Sequence, residues 1–157
     1  MATLIRQEDL IESVADALQF ISYYHPVDFI QAVNEAYERE ANPAAKDAMA
    51  QILINSRMCA EGHRPICQDT GIVTAFLQVG MDVQWQGDMS VTDMVNEGVR
   101  RAYMNPDNKL RASVLDDPDG ARKNTGDNTP GVVHYEIVPG DKLEVHGDDK
   151  GRVSQAK

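Results

Sequence analysis

Arg64-Pro65-Ile66-Cys67-Gln68-Asp69-Thr70-Gly71 runs directly into Ile72-Val73-Thr74-Ala75-Phe76-Leu77-Gln78-Val79, and at that junction the periodicity of the chain changes. Upstream, Leu10, Ile11, Val14, Ala15, Leu18 and Ile21 recur at helical spacing. Phe29, Ile30, Val33, Ala36 and Tyr37 make a second such stripe, and Ala45, Ala48, Met49, Ile52, Leu53 and Ser56 a third. Tyr24-His25-Pro26 and Asn42-Pro43 separate them, and proline suits the first turn of a helix. Breaks this short predict helices packed antiparallel. Downstream, residues 72–79 are almost wholly apolar and predict a strand buried on both faces, with residues 82–85 as its continuation or partner.

Further along, Ser90-Val91-Thr92-Asp93 has the form of a helix cap ahead of Val91, Met94, Val95, Gly98 and Ala102, which predicts a fourth helix. Residues 105–129 hold few apolar side chains and many Asn, Asp, Gly, Lys and Arg. A structureless loop of that length is uncommon unless it is functional. Residues 132–138 read as a strand, Pro139-Gly140 as a type II turn and residues 142–146 as the return strand of a hairpin. The fold class that follows is α+β. A helical layer over residues 1–62 precedes a strand-rich part over residues 63–157, with a mainly antiparallel sheet and a C-terminal hairpin. Nothing closes the fold after that hairpin, so the chain reads as a fragment of a larger catalytic domain.

The chain has 157 residues, 42% of them hydrophobic and 25% charged, which is the make-up of one ordinary globular domain. A net charge of -10 with no Lys/Arg block argues against nucleic acid as a partner. It leaves room for a small anionic substrate in a locally positive pocket. No apolar run approaches the roughly 20 residues of a membrane span. The N-terminus lacks the basic-then-apolar layout of a signal peptide. Two cysteines and seven methionines suit a reducing compartment, so a cytoplasmic location is expected. Cys59 and Cys67 do not form a CxxC pair, and the compartment argues against a disulfide between them.

Positions 67–70 place a thiol, an amide, a carboxylate and a hydroxyl side by side at the mouth of a buried strand, where loops carry chemistry. A soft ligand beside polar groups suits a metal or cluster site. Residue type alone leaves other readings open. Cys67 could pack as a small hydrophobe, Gln68 and Asp69 could be turn residues, and Arg111 could be a solvated surface group. Residues 124–129 could be plain turn chemistry.

Taken together, Arg64 through Gly71, then Leu110-Arg111, then Asn124-Thr125-Gly126-Asp127-Asn128-Thr129-Pro130 resemble the class I (iron–sulfur) fumarate hydratases, a family that includes the tartrate dehydratases. Pro139-Gly140-Asp141-Lys142-Leu143-Glu144-Val145 is similar to the strand before that family's glycine-rich substrate loop. The resemblance implies that residues 1–157 are the N-terminal part of a class I fumarase-type hydro-lyase domain. It implies a [4Fe–4S] cluster held by three cysteines, with one iron open to substrate, and makes Cys67 the first of the three. A thiolate is a good ligand for such iron. By the same resemblance Gln68 and Asp69 contact substrate and Arg111 grips a carboxylate, a task that suits a planar guanidinium. Lys150, Gly151, Ser154 and Lys157 keep the spacing of the glycine loop, which makes Gly151 a substrate contact, whereas Arg152 and Val153 replace loop glycines.

The implied reaction is reversible addition of water to fumarate to give L-malate. The resemblance implies that the catalytic base lies outside this chain, so no catalytic residue is assigned. The partners implied are a small dicarboxylate, the remainder of the enzyme or a second subunit, and a second copy in a homodimer. An L-tartrate dehydratase of the same family is the near alternative, and a non-catalytic regulatory or assembly fragment of the fold is the other.

Overall fold

Local signals start and stop the helices much as the sequence predicts. The computed structural model describes residues 3–67 and 71–151, the last four as backbone only. β1 (Thr3–Arg6) leads into α1 (Gln7–Tyr23), followed by α2 (Val27–Arg39) and α3 (Pro43–Gly62). Asn42 caps α3 by accepting from the Ala44 N–H at 3.0 Å, with Pro43 in the first turn. The strand-rich part contains β2 (Gly71–Gly80), β3 (Val83–Gln86), α4 (Val91–Tyr103), β4 (Leu115–Asp116), β5 (Lys123–Asn124), β6 (Val132–Val138) and β7 (Leu143–Gly151). Ser90 caps α4, its hydroxyl accepting from the Asp93 N–H at 3.1 Å. The architecture is α+β, with helices preceding strands. Among the described residues, no helix is long and apolar enough to cross a membrane.

The chain divides into two compact units, Phe20–Cys67 and Met1–Gln19 with Gln68–Lys157. In the first, α2 packs on α3. Val27 and Phe29 on α2, and Ile52, Ile54 and Met58 on α3, remain exposed in this chain. His63 ends α3 in the left-handed conformation (φ 46°) and stacks on Tyr23, with ring centroids 4.7 Å apart. His25 Nδ1 lies 3.0 Å from Ser56 Oγ, and burial pushes its pKa down.

In the second unit, β2 is the centre of a three-stranded sheet of order β6-β2-β7. Val73, Ala75, Leu77 and Val79 form its buried row. They share one core with Leu10, Ile11, Val14 and Leu18 of α1 and with Met94, Val95, Val99, Ala102 and Tyr103 of α4. Each fully buried valine or leucine in such a row contributes about 1.5–3 kcal/mol. α1 and α4 approach closely at Gly98, where a Cβ would lie 2.7 Å from Val14 Cβ and 2.8 Å from the Ile11 carbonyl oxygen. A guanidinium–carboxylate network reinforces the pair. Arg101 binds Glu8 of α1, and Arg100 and Arg101 both donate to Glu97, holding its carboxyl below the usual range.

Four expectations from the sequence are corrected. The residue 72–79 strand is buried on one face only: Ile72 is 46% and Phe76 48% exposed, because α1 and α4 cover the other side. Residues 132–138 and 142–146 do not form a hairpin. β6 lies parallel to β2 on one side and β7 antiparallel on the other. The turn at 139–142 therefore passes over the end of β2, a span of about two strand spacings or roughly 10 Å. There Gly80 N–H donates to Lys142 O (2.8 Å), Met81 N–H to Val138 O (2.9 Å) and Asp82 N–H to Gly140 O (2.9 Å). The sheet is accordingly mixed rather than mainly antiparallel. Finally, β3 neither continues nor pairs β2. It pairs in parallel with β1, a strand that the helical reading of the N-terminus passes over.

Candidate active site

The approach to Cys67 is held from two sides within the helical unit. Ile66 N–H donates to Ser22 O at 2.8 Å, and Asn55 Nδ2 donates to Ile66 O at 3.0 Å. One residue earlier, the Cys59 thiol donates to Pro65 O at 3.5 Å and, more weakly, to Asn55 Oδ1 at 3.7 Å. The two cysteines therefore differ in kind. Cys59 is 5% exposed and spends its thiol on protein acceptors, as a packing residue does. Cys67 is exposed, one residue beyond this pinned stretch of backbone.

In the sheet unit, separated sequence motifs meet at Gly71, the first residue of β2. Its carbonyl oxygen accepts from Asn128 Nδ2 at 2.9 Å and from Ser113 Oγ at 3.3 Å. Gly151, the last residue of β7, stands opposite it in the ladder. The Asn128 amide also accepts, through Oδ1, from Ser113 N–H (2.7 Å) and Val114 N–H (3.1 Å). Asn124 Nδ2 donates to Ala112 O at 2.9 Å, and Thr125 N–H to Val114 O at 3.0 Å. The loop of residues 105–129 is thus ordered around the short β4–β5 ladder.

Arg111 sits at the edge of that clamp, exposed, between buried Leu110 and the tied residues Ala112–Val114. A guanidinium on a fixed backbone can present its two-pronged face to a carboxylate. Gly151 lies at the same end of β2. Gln68 and Asp69 fall outside the described residues, as do Arg152, Val153, Ser154 and Lys157. Among the described residues, no group of three or more His, Cys, Asp and Glu is placed to hold a metal ion. A shallow cavity of about 380 Å³ lies at the end of β2 away from Gly71, where Gln78, Gly140 and Glu144 line it.

Residues that a reading of the sequence leaves without a role are Asn124, Thr125 and Asn128. Their signal was present as a dense Asn/Thr/Gly/Asp run. Such runs mark turns in general, and nothing local says which backbone groups their amides will meet.

Comparison with known proteins bears directly on this arrangement. The family described as fumarate hydratase (Fumerase) matches residues 11–157. The chain belongs to that family. A Geobacillus stearothermophilus protein named provisionally as a class I fumarate hydratase is 31% identical over 141 residues, covering 88% of this chain and 26% of its own length. A Methanocaldococcus jannaschii protein, named provisionally as an L(+)-tartrate dehydratase subunit alpha, is 26% identical over 145 residues, covering 90% of this chain and 50% of its own length. An Escherichia coli L(+)-tartrate dehydratase subunit alpha is 28% identical over 137 residues, covering 87% of this chain and 44% of its own length. The chain of this fumarate hydratase family member therefore spans half or less of the length of these relatives.

Proposed function

We propose that this chain is the N-terminal part of a hydro-lyase that interconverts fumarate and L-malate. Cys67 is one ligand of a [4Fe–4S] cluster, and Gln68, Asp69, Arg111 and Gly151 contact the dicarboxylate. The observation that carries this reading is the meeting of the family motifs at Gly71, where Ser113 Oγ, Asn128 Nδ2 and the Gly151 ladder position converge. Arg111 would bind and orient one substrate carboxylate through two parallel hydrogen bonds. In a chain of net charge -10 such a cation also offsets the repulsion of a dianion.

The exposed Cys67 thiol, one residue beyond the pinned backbone, suits a thiolate ligand. The buried Cys59 thiol, turned to Pro65 O and Asn55 Oδ1, does not. The remaining ligands would come from the part of the enzyme that this chain lacks or from a second subunit, in a cytoplasmic homodimer or larger assembly. When bound, the cluster supplies an iron that polarises a hydroxyl or carboxylate oxygen.

A second reading, dehydration of L-tartrate, is favoured by the relatives named as tartrate dehydratase alpha subunits, which match 87–90% of the chain. Product analysis of the complete protein with fumarate, L-malate and L-tartrate separates the two. Turnover of none of the three acids by anaerobically reconstituted, iron-loaded protein would favour the non-catalytic reading. In that complete protein Cys67→Ser should abolish iron retention and activity, and Cys59→Ser should leave both nearly intact. Equal losses would show that the ligand is wrongly assigned.

A further inference from the structure

We propose that Asn128 is a positioning residue of the dicarboxylate site, holding the segment that carries Arg111 against the entrance of β2. The inference rests on the role given to Arg111 above. Asn128 is 0% exposed, and its backbone is left-handed with φ 63°, a conformation that asparagine tolerates better than most residues. A side-chain amide offers an acceptor oxygen and a donor NH₂, and here the two ends serve different segments, the loop at Ser113 and Val114 and the start of β2. Oδ1 takes the Ser113 and Val114 N–H groups, and Nδ2 reaches the Gly71 carbonyl. The partners fix which way the amide points, since two are donors and one is an acceptor.

No other residue type of this size does the same. A carboxylate lacks the donor, and an aliphatic side chain would leave two backbone N–H groups without their acceptor. The consequence falls on Arg111. Its carbonyl-side neighbours are tied at Ala112 by Asn124 and at Ser113 and Val114 by Asn128, while Leu110 is 6% exposed in the core. Holding the Cα of a long cation on both sides lowers the ordering cost of binding. The same amide fixes Gly71 relative to that cation, so one side chain sets the spacing between the two halves of this unit's site.

The test uses the complete protein and two variants of matched thermal stability. Asn128→Gly removes the amide without straining the left-handed backbone. Val95→Ala opens the core under α4 and removes none of the hydrogen bonds of the clamp. The expected result is faster hydrogen exchange at Ala112–Val114 in Asn128→Gly only. The Michaelis constant for the dicarboxylate should also rise on the order of ten- to a hundredfold in that variant, while Val95→Ala keeps the wild-type value. Unchanged local exchange in Asn128→Gly overturns the proposal. So does faster exchange with an unchanged Michaelis constant, which would make the clamp merely structural. Wild-type protein that turns over neither fumarate nor tartrate sinks the role of Arg111, whereas the exchange measurement still judges the clamp by itself.

Discussion

The two ends of β2 are held by opposite means. At its entrance, Gly71 is fastened by side chains: Asn128 and Ser113 reach its carbonyl from a loop of polar residues. At its exit, the strand is fastened by backbone groups, the N–H groups of Gly80, Met81 and Asp82 donating to the carbonyls of Lys142, Val138 and Gly140. A Cβ on Gly80 would sit 2.4 Å from the Gly140 carbonyl oxygen and 2.9 Å from Lys142 N. The entrance thus depends on what particular side chains supply, and the exit on what a missing side chain permits. Deletions should damage the first and additions the second.

The largest effect should come from Gly80→Ala. Backbone atoms cannot move aside as a flexible side chain does, so the loss should be about 3 kcal/mol or more in denaturant unfolding. Gly147→Ala, with nothing within 4 Å of the added carbon, should change stability by no more than about 0.5 kcal/mol. If both glycines tolerate alanine equally, the exit is not sterically sealed and the comparison fails.

Arg111→Lys should do the reverse, leaving the thermal midpoint nearly unchanged because the side chain is exposed. Lysine lacks the two-pronged geometry. The loss of a charge-assisted pair worth roughly 1.5–3 kcal/mol should weaken dicarboxylate binding in the complete protein about ten- to a hundredfold. Unaltered Michaelis constant and turnover in both Arg111→Lys and Arg111→Ala would return Arg111 to the ordinary surface.

Asn124→Ala sharpens the picture of the entrance. It removes the bond to Ala112 O and the acceptor for the Gly126 N–H, and should cost about 1 kcal/mol in a chemical melt. A loss as large as that of Gly80→Ala would mean that both ends depend equally on steric fit.

The smallest effect concerns His25, which belongs to neither end. Its pKa is lowered by burial from an ordinary value of 6.5, so the unfolded chain binds the proton more readily than the folded one. Stability should be complete above pH 6.5 and decline as the pH falls below it. His25→Gln should flatten the dependence of the thermal midpoint between about pH 7 and 5. An identical slope in the variant would show that His25 does not carry the decline; Glu97, whose depressed pKa makes its contribution disappear only in more acidic solution, does not act in this window.

Legibility in the sequence followed the range of the interactions. The starts of α2, α3 and α4 at Pro26, Asn42 and Ser90 were readable, because capping and proline geometry act over a few residues. The change of direction at Pro139-Gly140 was readable for the same reason, Gly140 taking φ 117°, but a type II turn is too narrow for a connection that spans about two strand spacings. The strand partners were not readable. Two strands joined by a tight turn ordinarily pair, and only the insertion of β2 between them shows otherwise. Likewise, Arg111 could be noticed from its motif, but Asn128 looked like one turn residue among several.

By itself, then, the sequence determined the order of helices and strands, the ends of the helices and the family motifs, all of which rest on residue type and short spacing. Tertiary structure alone decided that β2 lies between β6 and β7, that one of its faces is buried, and that Asn128 meets a carbonyl 57 positions away. Those outcomes depend on which donors, acceptors and apolar faces lie close together once the chain has folded. No local pattern carries that information.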